Sequence, residues 1–215
     1  MKTDDLIAML ASNAASQALD ATSDARRFAP ALGWGLAGAA LLMALCLGVR
    51  TDLAEALLMP MFWAKAGVAA VAALAALQLA RRLARPGVRA GRAPLLLAAL
   101  LLLIWTSAGA VLLAAPSEAR AALVFGDSWR SCPFNITLLS IPLFIALLRV
   151  MRTMAPTRPR LAGGSAGLAA GAAAAAVYAL HCPEMATPFL AVWYVLGVAI
   201  PALAGAFLGA LLLRW

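Results

Sequence analysis

Six stretches of this 215-residue chain are each long and apolar enough to cross a lipid bilayer as a helix. The hydrocarbon core of a bilayer is about 30 Å thick, so a helix needs roughly 20 mostly apolar residues to span it. The predicted spans cover residues 31–49, 62–80, 94–115, 135–150, 161–180 and 189–213. The chain is therefore predicted to be an all-α polytopic membrane protein with six transmembrane helices.

The composition agrees with that architecture and excludes a soluble globular domain. Hydrophobic residues make up 65% of the chain and charged residues only 12%, whereas soluble domains carry about 25% charged residues. The N-terminal part of the chain contains several aspartates and lacks the short apolar region of a cleaved signal peptide. We expect the first span to act as its own insertion signal and to stay in the mature protein.

Basic residues are distributed unevenly over the connections between the predicted spans. Most of the 17 Lys and Arg residues lie in the N-terminal segment, after the second and fourth spans, or after the sixth span. The exceptions are Arg50, Lys65, Arg120 and Arg130. Short connections rich in Lys and Arg stay in the cytoplasm. This distribution predicts a multi-pass protein of the bacterial inner membrane with both termini cytoplasmic.

The net charge of +8 has a second interpretation, since nucleic-acid-binding proteins are also basic. In this chain no basic run is interleaved with aromatic residues, and no nucleic-acid-binding motif is present. We therefore interpret the basic residues as topology determinants. The expected partners include membrane lipid and exclude direct contact with nucleic acid.

Residues 1–28 are predicted to form a cytoplasmic amphipathic segment, separate from a transmembrane domain of residues 29–215. Acidic residues in its first turn suit the positive end of a helix dipole, and apolar residues follow at helical spacing. Anionic lipid would repel such a segment, so a groove on a basic protein partner is favoured over the bilayer surface or a frayed tail. The residues predicted to bind the partner are Asp4, Asp5, Leu6, Ile7, Met9 and Leu10.

Two of the three cysteines, Cys132 and Cys182, lie in connections predicted to face the periplasm, and Cys46 lies near the outer end of the first span. The periplasm is oxidising, so exposed thiols there form a disulfide or bind a soft metal. A stabilising disulfide between Cys132 and Cys182 is the simplest alternative to a functional site. No Cys-x-x-Cys spacing strengthens the metal hypothesis.

Other soft ligands lie on the same predicted face, namely His181 and, as weaker candidates, Met185, Met59 and Met61. Thiolate, imidazole and thioether groups together suit copper(I), and thiolate with imidazole also suits zinc or cadmium. Methionine is more often a filler of apolar gaps, and a single histidine beside a turn is usually solvated. We predict no obligatory cofactor and treat a soft metal ion as a candidate ligand of the outer cysteines.

The predicted spans contain almost no ionisable residues. Lys65 lies in the first turn of the second span, where its side chain is expected to extend to the outer interface. Ion-coupled transporters need charged groups near the bilayer midplane, and none is found there. Glycines recur every fourth residue in the fifth and sixth spans, which predicts close helix packing within the chain or, alternatively, a homodimer face.

Five short motifs in the chain together resemble the NrsF family, whose members are six-span inner-membrane proteins described as negative regulators of sigma factor F. The motifs are Met-Lys-Thr-Asp-Asp-Leu-Ile at 1–7, Ser-Trp-Arg-x-Cys-Pro at 128–133, Pro-Thr-Arg-Pro-Arg-Leu-Ala-Gly at 156–163, Leu-His-Cys-Pro-Glu at 180–184 and Val-Trp-Tyr-x-Leu-Gly at 192–197. The resemblance covers essentially the full length of the chain.

The resemblance implies an anti-sigma factor and not an enzyme. The cytoplasmic N-terminus would hold an extracytoplasmic-function sigma factor at the membrane until a signal on the outer face releases it. Cys132 and Cys182 match the two motif cysteines of the family, which are linked to sensing of metal or oxidative stress. The competing hypotheses are a membrane thiol-disulfide oxidoreductase that passes electrons to quinone and a small metal permease.

Overall fold

The computed structural model describes residues 3–5, 7–9 and 21–214, and within them it contains helices and no strand. The long helices are α1 (Ala21–Leu42), α2 (Pro60–Leu83), α3 (Ala93–Ala114), α4 (Cys132–Arg152), α5 (Pro159–Tyr178) and α6 (Val195–Leu212). Six helical segments of the described chain are long and apolar enough to span a membrane. The predicted all-α fold with six spans is confirmed.

Several shorter elements gather at one end of this bundle. Two π-helical turns adjoin long helices there, Met43–Leu47 after α1 and Leu190–Tyr194 before α6. The connections at the same end contain the short helices Leu53–Ala56, Ser117–Phe125 and Thr187–Phe189. We call this the cysteine end of the bundle. The opposite end, with connections 84–92 and 153–158, is called the arginine end.

Five predicted spans agree with the structure to within a few residues, but the first begins much earlier than predicted. Helix α1 starts at Ala21 and passes through Arg26 and Arg27 before it enters the apolar run. Alanine and arginine favour helix, so the segment is helical although it is not apolar. The predicted cytoplasmic segment of residues 1–28 is thus helical from Ala21 onward and continuous with the first span, and residues 10–20 lie outside the described part.

Prolines mark the beginnings of four long helices. Pro60, Pro94, Pro133 and Pro159 each occupy the first turn of a helix, from α2 to α5 respectively. Proline is well suited to this position because its fixed φ matches the helix and its missing N–H would have had no intrahelical partner. These residues explain why the second to fifth predicted spans begin close to where the structure begins them.

Helix α5 lies at the centre of the bundle, and small residues allow its neighbours to approach closely. A Cβ atom added to Gly163 would overlap the backbone of Gly205 and Gly209 in α6, and one added to Gly167 would overlap Pro201. The recurring glycines therefore pack α5 against α6 within one chain, as the first of the two interpretations predicted. Helix α3, in contrast, is the least buried of the spans.

Helix α1 packs along α4 through a second pair of small residues. Gly35 faces Leu143, and Gly38 faces Pro142. In the described part of the N-terminal segment, residues 3–5 and 7–9 are helical and exposed. Leu6 and Leu10, which were predicted to bind a partner, lie outside the described residues.

Candidate thiol site

The structure brings together Cys132, the first residue of α4, and Cys182, in the turn after α5. Both side chains are fully buried within an apolar cluster at the cysteine end. The thiol of Cys132 donates a hydrogen bond to the sulfur of Cys182, and neither cysteine is in a disulfide. The predicted proximity of the two cysteines is thus present, in the form of a hydrogen-bonded thiol pair.

Local backbone structure holds each cysteine at the end of a helix. The N–H of Cys182 donates to the carbonyl of Tyr178 (3.0 Å), which closes the last turn of α5. The N–H of Cys132 donates to the carbonyl of Ser128 (3.0 Å), just before α4 begins. Proline follows each cysteine, at Pro183 after α5 and in the first turn of α4. Both sulfurs are therefore placed by short segments with little conformational freedom.

Lys65 of α2 is buried beside this pair, with only 5% of its surface exposed. Its Nζ donates to the carbonyl oxygens of Cys182 and Glu184, both at 2.9 Å, and lies 4.9 Å from the ring centroid of Tyr194. The expectation that this side chain extends to the interface was wrong. The carbonyls of the turn have no helical partner, and the ammonium group satisfies them.

The charge distribution of the site favours a thiolate at Cys182. The pKa of Cys182 is lowered, first by the hydrogen bond from Cys132 and then by the ammonium group of Lys65, while burial acts in the opposite direction. At neutral pH the pair therefore holds one thiol and one thiolate. The thiolate is the form of cysteine that binds metals and reacts with oxidants.

Glu184 ties the turn that contains Cys182 to the loop that precedes Cys132. Its Oε1 accepts hydrogen bonds from the N–H of Asp127 (2.8 Å) and from the hydroxyl of Ser128 (3.4 Å). Gly126, at a φ of 50°, leaves the room that the carboxylate occupies, since a Cβ atom there would lie 2.6 Å from it. Glu184 was absent from the predicted site residues, although it belongs to the Leu-His-Cys-Pro-Glu motif.

Three aromatic rings hold the same loop against the start of the last span. The ring of Trp129 lies 5.6 Å from that of Phe125 and 5.2 Å from that of Trp193, measured between centroids. Trp193 Nε1 also donates to the carbonyl of Val124 (2.8 Å). The motifs at 128–133, 180–184 and 192–197 therefore meet in one place, around the thiol pair.

His181 faces the end of α1 instead of completing a ligand set with the cysteines. Its Nδ1 lies 2.8 Å from the carbonyl oxygen of Gly48, so Nδ1 carries the proton and donates it. Nearby, the N–H of Arg50 donates to the carbonyl of Leu180 (3.2 Å). Together these two bonds attach the turn after α5 to the residues that follow the π-helical turn of α1.

An ion pair fixes the same segment. The guanidinium group of Arg50 contacts the carboxylate of Asp52 through two hydrogen bonds of 2.6 and 2.7 Å. This pairing raises the pKa of Arg50 and lowers that of Asp52. A cation is thereby held at the cysteine end next to the point where α1 meets the turn after α5.

The weaker predicted ligands lie in different surroundings at the cysteine end, and only Met61 packs against the apolar cluster that contains both cysteines. Met61 packs against the apolar cluster, Met59 is the exposed residue before α2, and Met185 is half-buried in the turn before Thr187. Cys46 is exposed on the π-helical turn of α1. Among the residues that the structure describes, no three His, Cys, Asp or Glu side chains are grouped so that they could hold a metal ion. Any metal bound here would rely mainly on the two cysteine sulfurs.

These features define a polytopic helical membrane protein with a buried thiol pair at one end of its bundle. A family model described as "Negative regulator of sigma F" matches residues 10–215. The chain belongs to this family, NrsF, as its motifs indicated. Family membership supports a role in transcription regulation over the thiol oxidoreductase and metal permease hypotheses.

Two curated relatives extend over the whole chain. The "Probable anti-sigma-F factor NrsF" of Azospira oryzae is 52% identical over 215 residues, which cover 100% of both chains. The "Anti-sigma-F factor NrsF" of Caulobacter vibrioides is 42% identical over 217 residues, again with 100% of both chains covered. No solved structure matches the chain.

Proposed function

We propose that the protein is an anti-sigma factor of the bacterial inner membrane, which binds an extracytoplasmic-function sigma factor and releases it when the thiol pair meets a soft metal or an oxidant. The names of its relatives, anti-sigma-F factors, support the regulatory role. The observation that carries the sensing role is the buried contact between Cys132, the Cys182 thiolate and Lys65.

The proposed orientation places the arginine end and both termini in the cytoplasm and the cysteine end in the periplasm. It is supported by the connections at the arginine end, which contain several arginines and no acidic residue. This orientation lets the thiol pair meet signals from outside while the N-terminal segment meets the transcription machinery inside. A homodimer would have to use a surface other than the paired glycines of α5 and α6.

The sigma factor is proposed to bind the N-terminal segment. Ile7 and Met9 have 58% and 60% of their surfaces exposed, and Asp4 and Asp5 are exposed beside them. An exposed apolar stripe with acidic neighbours suits a groove on a basic protein. Deleting residues 2–24 should abolish co-purification of the sigma factor with the membrane protein, and undiminished co-purification would refute this binding site.

The chemistry of the thiol pair lets two different signals act in the same direction. Copper(I), cadmium or zinc bound between the sulfurs would place a cation close to the ammonium group of Lys65. An oxidant would instead take two electrons from the pair, Cys132 would lose its one proton, and the disulfide that forms would no longer carry the negative charge of the Cys182 thiolate. Disulfide formation removes the attraction between Lys65 and the thiolate, and a bound cation weakens it because the thiolate charge is shared with the metal. Both events weaken the hold of Lys65 on the turn after α5.

Contacts between this turn and α1 supply a path to the sigma-binding segment. His181 and the carbonyl of Leu180 bind the backbone at Gly48 and Arg50, so a displaced turn would pull on the end of α1. Helix α1 crosses the bundle and leads to the N-terminal segment. Its π-helical turn, Met43–Leu47, is a suitable place for a change of helical register, since such turns are frequent at functional sites. Release requires that the signal bind the two arrangements with different affinity.

A reporter of the cognate sigma factor tests the sensor. Cells that carry the wild-type protein should raise reporter expression when copper, cadmium or an oxidant is added. The variant with Cys132→Ser and Cys182→Ser should give a constant level under all conditions, whereas the control Cys46→Ser should respond like the wild type. An unchanged dose-response in the double variant would refute sensing by the cysteines.

A further inference from the structure

Tyr194 contacts both charged groups of the thiol site, although it was absent from the predicted site residues. It is buried and belongs to the same apolar cluster as Cys132 and Cys182. The Nζ atom of Lys65 lies over its ring, 4.9 Å from the centroid, and its hydroxyl is directed at the sulfur of Cys182. One side chain thus presents its electron-rich ring face to the cation and a hydrogen-bond donor to the anion.

The sulfur of Cys182 is the acceptor available to the Tyr194 hydroxyl. This hydroxyl oxygen is buried, and it makes no hydrogen bond to an oxygen or nitrogen atom of the described residues. Buried hydroxyls are nearly always hydrogen-bonded, and a charged thiolate is a stronger acceptor than a neutral sulfur. The contact is also one of the causes that lower the pKa of Cys182. The hydroxyl therefore favours the state of the site in which the thiolate is present.

A π-helical turn directs Tyr194 towards the thiol pair. The turn Leu190–Tyr194 ends at this residue, and α6 continues from Val195. Such turns close their hydrogen bonds over five residues instead of four, which changes the direction of the side chains, and they are frequent at functional sites. The preceding residue, Trp193, donates to the carbonyl of Val124 (2.8 Å). The backbone and this neighbouring contact thus set the direction of the Tyr194 side chain.

Further donors and cations surround the same sulfur. They are the thiol of Cys132, the N–H of Glu184, the hydroxyl of Tyr178, and the charged groups of Lys65 and Arg50. Tyr194 is distinguished by a side chain that contacts the sulfur and the ammonium group at the same time. Replacing its hydroxyl alone therefore tests one donor while the ring, the cations and the other donors stay in place.

We propose that Tyr194 is a positioning residue that sets how readily the thiol pair is oxidised. Its hydroxyl donates to the Cys182 sulfur while the pair is reduced and loses this charged acceptor when the disulfide forms. A contact that is stronger in the reduced state stabilises that state and raises the reduction potential of the pair. One consequence rests on the proposed function: Tyr194 determines the concentration of oxidant at which the sensor responds.

Exchange with glutathione disulfide measures this stabilisation. The Cys182 thiolate attacks one sulfur of glutathione disulfide and displaces a glutathione thiolate. Cys132 then loses its proton, attacks the sulfur of Cys182 and displaces the second glutathione. Two electrons pass from the pair to glutathione, and the products are the protein disulfide, one glutathione thiol and one glutathione thiolate. Burial of the sulfurs slows this exchange, but the equilibrium constant does not depend on the path.

The test uses full-length protein that carries Cys46→Ser, so that the pair holds the remaining cysteines. The protein is equilibrated in detergent at pH 7 with glutathione buffers of increasing disulfide content, and mass spectrometry after acid quenching and alkylation gives the oxidised fraction. Tyr194→Phe keeps the ring over which Lys65 lies and loses only the hydroxyl. Since a hydrogen bond to a charged group is lost, we expect the equilibrium constant for oxidation to rise at least about tenfold, equivalent to about 30 mV.

The control removes a different buried hydroxyl. In Ser140→Ala the lost hydroxyl was bound to the carbonyl of Thr137 (2.6 Å) within α4, so the equilibrium constant should stay at the wild-type value. A second variant, Tyr194→3-fluorotyrosine, keeps nearly the same shape and has a more acidic hydroxyl, which is a stronger donor. It should lower the equilibrium constant for oxidation below the wild-type value, and it carries the test if Tyr194→Phe fails to fold.

An unchanged equilibrium constant in either folded variant of Tyr194, or a change in the same direction in both, would overturn the proposal. Thermal unfolding of each variant shows which of them are folded. A purely structural role of the ring predicts no opposite effects of removing the hydroxyl and of making it more acidic.

The exchange is measured on purified protein without a sigma factor, so it separates this inference from the proposed function. A shifted constant in Tyr194→Phe together with a reporter that ignores the cysteines would refute the sensor and leave the role of Tyr194 intact. An unchanged constant together with a cysteine-dependent reporter would refute the role of Tyr194 alone.

Discussion

The two ends of the bundle are built in different ways. At the arginine end, alanine, leucine and methionine side chains form a continuous apolar core under connections rich in arginine. At the cysteine end, polar contacts join segments far apart in the chain, among them Lys65 with Cys182 and Glu184 with Asp127. Apolar packing is insensitive to the chemistry of the surroundings, whereas a network of thiolate, ammonium and carbonyl groups responds to charge. Under the proposed function we therefore expect the cysteine end to be the responsive part.

The largest effect is expected from a substitution that disrupts the packing of α5 against α6. In Gly167→Leu the new side chain would overlap the backbone at Pro201, which α6 cannot avoid without moving away from α5. We expect the free energy of unfolding to fall by more than the roughly 1–3 kcal/mol typical of overpacked cores. Little folded protein should then remain after detergent extraction. Gly109→Leu on the lipid-facing α3 is the control, because a Cβ atom there meets nothing within 4 Å. Comparable yields of the two variants would contradict the central role of α5.

The second largest effect is expected from a substitution at the cysteine end, which is compared with a control substitution near the arginine end. In Lys65→Met the carbonyls of Cys182 and Glu184 lose their donor, and a buried acceptor without a partner costs about 1–3 kcal/mol. We expect the turn after α5 to loosen and the sigma-factor reporter to be high without any inducer. Ala76→Ser, at a buried position of the same helix near the arginine end, should leave the reporter at its low level. A silent reporter in a folded Lys65→Met protein would show that the ammonium group does not hold the resting state.

A pH titration tests the charge of the thiol pair directly. Since the pKa of Cys182 is lowered, the midpoint of its alkylation should lie at a lower pH than that of a thiol in the unfolded chain. Cys132→Ala should move the midpoint upward, because the donor of the hydrogen bond to the Cys182 sulfur is removed. In the unfolded chain the thiol has a pKa of about 8.5. The stability contributed by the thiolate is thus fully present above that pH and is lost as the pH falls through the lowered pKa of Cys182.

The smallest effect concerns the link between the turn and the loop before α4. Glu184→Ala removes the acceptor for Asp127 and Ser128, hydrogen bonds of a charged group that are worth about 1.5–3 kcal/mol when buried and less at this half-buried position. We expect a shift of the reporter dose-response towards lower inducer concentration, with the maximum unchanged. Glu184→Gln keeps an acceptor oxygen and should lie between the wild type and Glu184→Ala.

Much of the architecture could be predicted because it follows from local composition. The apolar runs and the prolines at their beginnings define where the spans lie, and the predicted boundaries from α2 to α6 agree with the structure. The early start of α1 escaped prediction because hydropathy detects the part of a helix inside the membrane and not its polar extension through Arg26 and Arg27. The helix Ser117–Phe125 was not predicted for the same reason, because hydropathy does not detect a helix outside the membrane.

The candidate site was predicted only in part, since its residues come from distant parts of the chain. The predicted topology placed Cys132 and Cys182 at the same end of the bundle. The partners of Lys65 could not be predicted, because they lie 117 and 119 residues further along the chain. No local pattern reveals that an ammonium group in the first turn of a span turns inward. His181 was predicted as a metal ligand, but its ring instead bonds the backbone carbonyl of Gly48. This contact could not be predicted either, because the two residues are far apart in the chain.

By itself the sequence determined the class of the protein: a chain this apolar must form membrane-spanning helices, because every backbone polar group inside a bilayer has to be hydrogen-bonded within the chain. Its motifs also indicated the NrsF family. Only the tertiary structure decided which side chains share a site. The thiol pair and the buried ammonium group depend on how six helices pack, and that packing is set by contacts between residues far apart in sequence.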